Sequence, residues 1–278
     1  MKVFKTTLIV LSAVLVLVGC SNSTNSNTKT GRLNVTMTDA PFPIDLVSEA
    51  NVTIDKIEIR RDSTEVESST FLTISEESQT FNLLDLQNGV KTSLVDLEIE
   101  EGSYDLIRLY VSEANIVLTD NTTYDLTVPS GAQTGIKVFV SPSIEVVSDL
   151  SAELLLDFDV ANSFVARGNI STPAGINGFN FKPTIKAVNA SDAGRIEGVV
   201  ADTSLTVLSD VQIAVIADSD TSYAFSNEEG FYSIISLDEG VYTIEATAAG
   251  FDTLRANNVA IKAGNTTTFD VELTPSDN

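Results

Sequence analysis

Apolar side chains in this chain recur at every second residue, and helical spacing is rare, which confines the fold to strands. From Leu33 the alternation runs Leu33, Val35, Met37, then Val52, Ile54, then Ile57, Ile59. A strand sends successive side chains to opposite faces, so each run buries one face and leaves the other wet. The slip between Ile54 and Ile57 predicts one extra residue, a bulge at Asp55-Lys56. Further β-like runs are TFLTI, TFNLLDL, YDLIRLYV, NIVL, TYDLTV, IKVFV, ELLLDF and FKPTIKAV, separated by Gly, Asn, Asp, Ser and Pro. Many short strands between turn-forming residues predict an all-β sandwich or barrel. Over residues 90–100, Val90, Leu94 and Leu97 also fit a helical stripe; a turn and a short strand is the preferred reading.

The amino terminus is of another kind. Lys2 and Lys5 precede the uncharged run TTLIVLSAVLVLV, which has the form of a secretory signal peptide. Its apolar stretch, residues 8–18, falls short of the ~20 residues a spanning helix needs. Leu17-Val18-Gly19-Cys20 resembles the bacterial lipobox, in which a signal peptidase cuts before a cysteine carrying diacylglycerol. Cys20 is the chain's single cysteine, which makes it the expected lipid-attachment residue. Each buried methylene contributes ~0.8 kcal/mol, so several acyl chains on one residue hold a protein at a membrane. The segment SNSTNSNTKT then reads as a flexible polar tether over residues 20–30. Neither Ser21 nor Asn22 is the aspartate that retains enteric lipoproteins in the inner membrane, so the expected location is the outer membrane of the cell envelope.

Charge excludes other partners. Asp and Glu number 39 against 16 Lys and Arg, for a net charge of −23, and no surface of that sign neutralises nucleic-acid phosphates. The chain has no His, which removes Ser-His-Asp triads, Cys-His pairs and His-ligated zinc. A boundary is expected at residues 189–193, small and polar, giving modules at 31–190 and 191–278.

The second block carries GRIEGVVAD (194–202), LSDVQIAVI (208–216), SNEEGFYSIISLDEGVYTIEATAAGF (226–251) and TTTFDVELT (266–274). In that order these resemble the carboxypeptidase regulatory-like domain, a transthyretin-like β-sandwich. The resemblance implies a structural or binding module without a peptidase site. Gly230 and Gly240 are expected at strand reversals with positive φ, with Tyr232, Ile234, Val241 and Thr243 alternating along paired strands. The first block carries VTMTDAP (35–41), FNLLDLQNG (81–89), IEEGSYDLIRLYV (99–111), LLLDFDVANSFV (154–165) and FKPTIKAV (181–188). These resemble the bacterial domain of unknown function 4382, a family of secreted and lipid-anchored β-sandwich proteins. That resemblance implies a fold without a mechanism.

Carboxylates are the one abundant chemical group. Asp157 and Asp159 lie two apart and are expected on one face, near Asp39, as weak calcium candidates; solvated or turn-capping aspartates are the plainer reading. Paired carboxylates also serve hydrolases, but 39 acids pair by chance, and the absence of Trp removes the best sugar-stacking ring. Tyr223 and Phe225 are expected in the core, with an exposed binding patch as the alternative. The functional expectation is a lipid-anchored, noncatalytic binding or structural module with an envelope protein or glycan as partner. Accessory glycan binding in polysaccharide uptake is the alternative, and a carboxylate hydrolase stands third.

Overall fold

The computed structural model describes residues 29–39, 46–62, 71–128, 131–217 and 221–276. Cys20, the expected signal peptide and most of the expected tether lie outside the described residues. The first module consists of β1 (Thr30–Asp39), β2 (Val47–Arg61), β3 (Phe71–Ser75), β4 (Gln79–Asn82), β5 (Thr92–Glu100), β6 (Gly102–Leu118), β7 (Thr123–Asp125), β8 (Ile136–Val146), β9 (Ser151–Phe158), β10 (Phe164–Gly168), β11 (Ile176–Phe181) and β12 (Ile185–Asn189). Ladder order is β3-β2-β6-β8-β12-β9-β1-β5, with β4 also on β2, β7 on β6, and β10 paired with β11 apart. The layers β3-β2-β6-β8 and β12-β9-β1-β5 join through one residue pair, Ala187 and Val140. Val35, Met37, Ile59, Leu109, Leu156 and Phe158 fill the space between them. Each such side chain taken from water stabilises the fold by about 1.5–3 kcal/mol.

The bulge anticipated at Asp55 is present. β2 is a single 15-residue strand whose register on β6 steps from Ile54 to Lys56, leaving Asp55 as the extra residue. YDLIRLYV and NIVL are likewise one strand, the 17-residue β6. TFNLLDL departs from its reading as a strand. It is extended only to Asn82, whose side-chain oxygen accepts the Leu84 N–H, and Leu83–Leu86 turns as a 3-10 helix. Residues 90–100 hold the strand β5, and the register slip against Val35/Thr36 sends Leu94 and Val95 both inward. The alternative helical stripe does not form: Val90 is 50% exposed and precedes β5.

The second module is a sandwich of two sheets. Its strands are β13 (Gly194–Asp202), β14 (Gln212–Ile216), β15 (Thr221–Phe225), β16 (Phe231–Leu237), β17 (Gly240–Thr247), β18 (Leu254–Ile261), β19 (Thr266–Thr268) and β20 (Val271–Leu273). One sheet is β16-β13 with β19 and then β20 end to end along β13; the other is β15-β14-β17-β18. Ile196, Ile213, Tyr232, Ile244 and Leu273 form its own core. The hairpins expected around Gly230 and Gly240 are crossings between sheets, because β16 pairs with β13 while β17 pairs with β14 and β18. Gly230 has φ +74°, and an added Cβ would lie 2.7 Å from the Val200 carbonyl oxygen. Gly240 is not among the positive-φ residues; the left-handed residue nearby is Ser236, next to the last residue of β16, at φ +69°. Val241 is 65% exposed, and it is Ile244 and Ala246 of β17 that enter the core.

The outer face of β2 and β6 gathers basic residues into balanced networks. Glu58 accepts from Lys56 Nζ at 2.8 Å and Tyr110 Oη at 2.9 Å, with Arg108 at 3.3 Å. Burial raises the Glu58 pKa, but hydrogen bonds from Lys56 and Tyr110 and the charges of Lys56 and Arg108 outweigh it and hold the carboxyl below its usual range. Arg60 forks onto Asp105 at 2.9 and 2.6 Å.

Candidate functional site

The polar groups of interest converge where the modules meet. The junction itself is tightly hydrogen-bonded. Asn189 accepts the Ser191 N–H through Oδ1 and donates from Nδ2 to Asp192, while Ala190 N–H bonds Glu153 O and Gly264 N–H bonds Ala193 O. Leu155, 1% exposed, belongs to neither core and lines a cavity of about 100 Å³ beside Ile235 and Ser236 of the second module. On the far side of Ser236 opens a larger cleft of about 240 Å³.

The first module builds one wall of this cleft. At the end of β9, Asp157 lies in register with Lys186 of β12 on one side and Thr38 of β1 on the other. Chain order alone puts Asp159 two residues on, but its role is local. Its Oδ1 accepts the Asn162 N–H at 2.9 Å and its Oδ2 the Asn162 side-chain amide at 2.6 Å, capping the one-turn helix Val160–Ser163. Thr184 is fixed by Asp159 N–H on its carbonyl and by Ser163 Oγ, which accepts its N–H. Thr38 Oγ donates to the carbonyls of Leu86 and Val90, which holds the loop bearing Asn88 at φ +55°.

The second module supplies the facing wall through Ser222 and Tyr223 of β15 and Ser236 near the end of β16. Tyr223 is 41% exposed, whereas its neighbour Ala224 is fully buried. The expectation of a core Tyr223 is therefore corrected: β15 alternates with Ala224 inward, and Phe225 is only half-buried. Ser236 is 4% exposed, and its hydroxyl has no hydrogen-bond partner. A smaller cavity of about 30 Å³, lined by Asp39, Asn88, Asp157 and Tyr223, adjoins the cleft.

The three aspartates singled out from sequence meet this region in different ways. Asp157 lines both cavities, Asp159 the larger one, and Asp39 the smaller one, where its Oδ1 accepts the Val160 N–H at 3.2 Å. Among the described residues no group of three or more Asp, Glu, Cys or His side chains lies close enough together to hold a metal ion. Asn162, Lys186, Ser222 and Ser236 carried no sequence signal. Isolated polar residues in strands and turns look alike until tertiary structure gathers them.

Fold and junction together define an all-β protein of two tandem β-rich modules. The chain belongs to the family described as domain of unknown function (DUF4382), whose model matches residues 30–183, and residues 195–274 match the carboxypeptidase regulatory-like domain. No curated protein matches the chain. Similar solved structures include a type II cohesin–X-dockerin complex from Acetivibrio cellulolyticus, at 16% identity and TM-score 0.26, covering 28% of this chain and 56% of that one. Shaft pilin SpaA from Lactobacillus rhamnosus GG aligns at 12% identity and TM-score 0.29, over 90% of this chain and 99% of its own. The minor pilin GBS52 of Streptococcus agalactiae aligns at 11% identity and TM-score 0.25, over 88% and 97%. The chain spans little more than half of the cohesin–X-dockerin chain.

Proposed function

We propose that this chain is a lipid-anchored protein of the bacterial envelope, held at the outer membrane through Cys20, whose tandem modules form a noncatalytic binding unit with its site in the inter-module cleft. The observation that carries the reading is the cleft of about 240 Å³ lined by both modules, with Asp157, Asn162 and Lys186 from the first and the 41% exposed Tyr223 from the second. Hydrolysis fits less well. Glycosidases flank the scissile bond with two carboxylates, whereas among the described residues Asp157 and Asp159 share one wall and hydroxyls face them. Asp159 is also committed to Asn162 at both oxygens.

Two experiments test the parts separately. Cys20→Ala should abolish palmitate labelling and release the protein from membranes; continued labelling and detergent partitioning would refute the anchor. Ser222→Trp should fill the cleft. Envelope components that co-purify with the wild type and are lost with this variant support the site, and identical recovery from both proteins would refute it.

A further inference from the structure

Tyr232 and Ile234 point into the second core, so Phe231, Ser233 and Ile235 share the opposite, outer face of β16. Near the junction that face packs on the first module: a Cβ on Gly89 would stand 3.0 Å from Ser233 Oγ and 3.4 Å from an Ile235 methyl carbon. At its far end the face is apolar and exposed. Val199 of β13, paired with Phe231, is 39% exposed, Val207, bridged to Ala201, is 47% exposed, and Leu205 is 81% exposed. The side chains adjoin. Gly230 leaves a gap in which a Cβ would lie 3.1 Å from Val207 Cβ and 3.4 Å from Val199 Cγ1. A sheet face that meets only water carries polar residues, and contiguous apolar ones mark an interaction site. We propose that this end of the sheet docks a protein partner whose surface offers an apolar pocket edged by Lys and Arg.

Leu205 leads the surface. It holds φ +64°, a conformation that a side chain with a Cβ resists, and Asp202 keeps it there. Asp202 Oδ1 accepts the N–H groups of Ser204 at 2.8 Å and Thr206 at 2.9 Å, its carbonyl accepts the Leu205 N–H, and its own N–H donates to the Thr206 carbonyl. A turn tied in this way has little freedom left to lose on association, so more of the buried leucine appears as affinity. Charge selects the partner. Asp202, Glu228 and Glu229 stand in the turns that flank the patch, Asp270 Oδ1 accepts the Val199 N–H at 2.9 Å, and the exposed Glu272 lies in register with Ala201. Residues 196–254 contain no Lys or Arg. Two copies meeting through this same face would set acids against acids, and an anionic lipid surface would be repelled likewise. Basic residues around an apolar pocket match both features, the rim guiding encounter and register and the leucine supplying affinity. The surface lies apart from the inter-module cleft, so either reading can fail without the other.

The test is site-specific photo-crosslinking of the full-length protein in intact cells. The probe is p-benzoylphenylalanine, placed at position 205 and, as the control, at position 72, where Leu72 is an exposed residue of β3 in the first module. Irradiation should join position 205, and not position 72, to another protein, and peptide mapping should place the adduct among apolar residues flanked by Lys and Arg. With that protein purified, Leu205→Ala should weaken its binding about tenfold or more, and added salt should slow its association with the wild type. Absence of a protein adduct at position 205, equal adducts at both positions, an adduct to a second copy of this chain or to lipid, a contact flanked by acids, or binding indifferent to Leu205→Ala would each overturn the proposal.

Discussion

Tyr232→Phe removes one hydroxyl from the middle of the second core, and its consequence depends on pH in a direction the structure dictates. Tyr232 is fully buried, and its Oη donates to the Phe269 carbonyl at 2.6 Å. Burial, and after it the charge of Asp270, pushes the phenol pKa up. Near pH 8 the variant leaves that carbonyl without its donor, at a cost of about 1–2 kcal/mol. In a module of ~80 residues each kcal/mol moves Tm by about 4–8 °C, so its transition should fall by about 4–16 °C. The folded pKa lies above the unfolded value of ~10, so the phenol's contribution is complete below pH ~10. Above it the unfolded chain loses the phenolic proton first, and each further pH unit withdraws up to about 1.4 kcal/mol from the wild type alone. The remaining tyrosines and the lysines titrate in both proteins and cancel in the difference. Urea unfolding of both chains, followed by far-UV circular dichroism from about pH 8 to about pH 11, should show the stability gap closing. A gap that stays constant over that range, or is absent near pH 8, would refute the burial of this hydroxyl.

Gly198→Ala should cost about 3 kcal/mol or more, since an added Cβ meets the Phe269 backbone carbonyl oxygen where β13 passes from β19 to β20; calorimetry showing an unchanged second transition would count against this packing. Glu58→Gln should destabilise the first module by about 1–3 kcal/mol near neutral pH. Because the Glu58 carboxyl is held below its usual range, that stability is present above pH ~4.3 and lost as pH falls through the folded value, so the penalty should shrink in acid, and a penalty persisting at low pH argues against the ionised network. Asp159→Ala should remove the cap on Val160–Ser163 at a cost of about 1 kcal/mol. With both Asp159 oxygens engaged, calcium should shift melting of the wild type no more than magnesium does, and a calcium-selective shift lost in Asp159→Ala would restore this carboxylate as a metal ligand.

Much of the architecture was legible in local pattern. Period-two alternation marked the strands, and the Ile54–Ile57 slip marked the bulge because an extra residue must break the count on its own strand. Where the pattern misled, the cause lay with a partner strand or a local cap. Leu94 and Val95 both face inward only because β1 tolerates a bulge opposite them, and Leu83 leaves the strand because Asn82 caps a turn.

The sequence by itself determined the strand content and the resemblance of each block to a known family. Tertiary structure alone decided which strands became neighbours, and with that which face of each found cover. Alternation states that Tyr223 and Ala224 point opposite ways, yet only the packing of β14 and β15 over the second core put Ala224 inside and left Tyr223 in the cleft. β16 and β17 follow one another in the chain but lie in different sheets, so Ser236 sits at a crossing that no hairpin pattern announces. The cleft joins Asp157 and Lys186 of one module to Ser222, Tyr223 and Ser236 of the other. Hydrophobic burial is set by local period, whereas a polar site is assembled from single residues far apart in the chain, each with no pattern of its own.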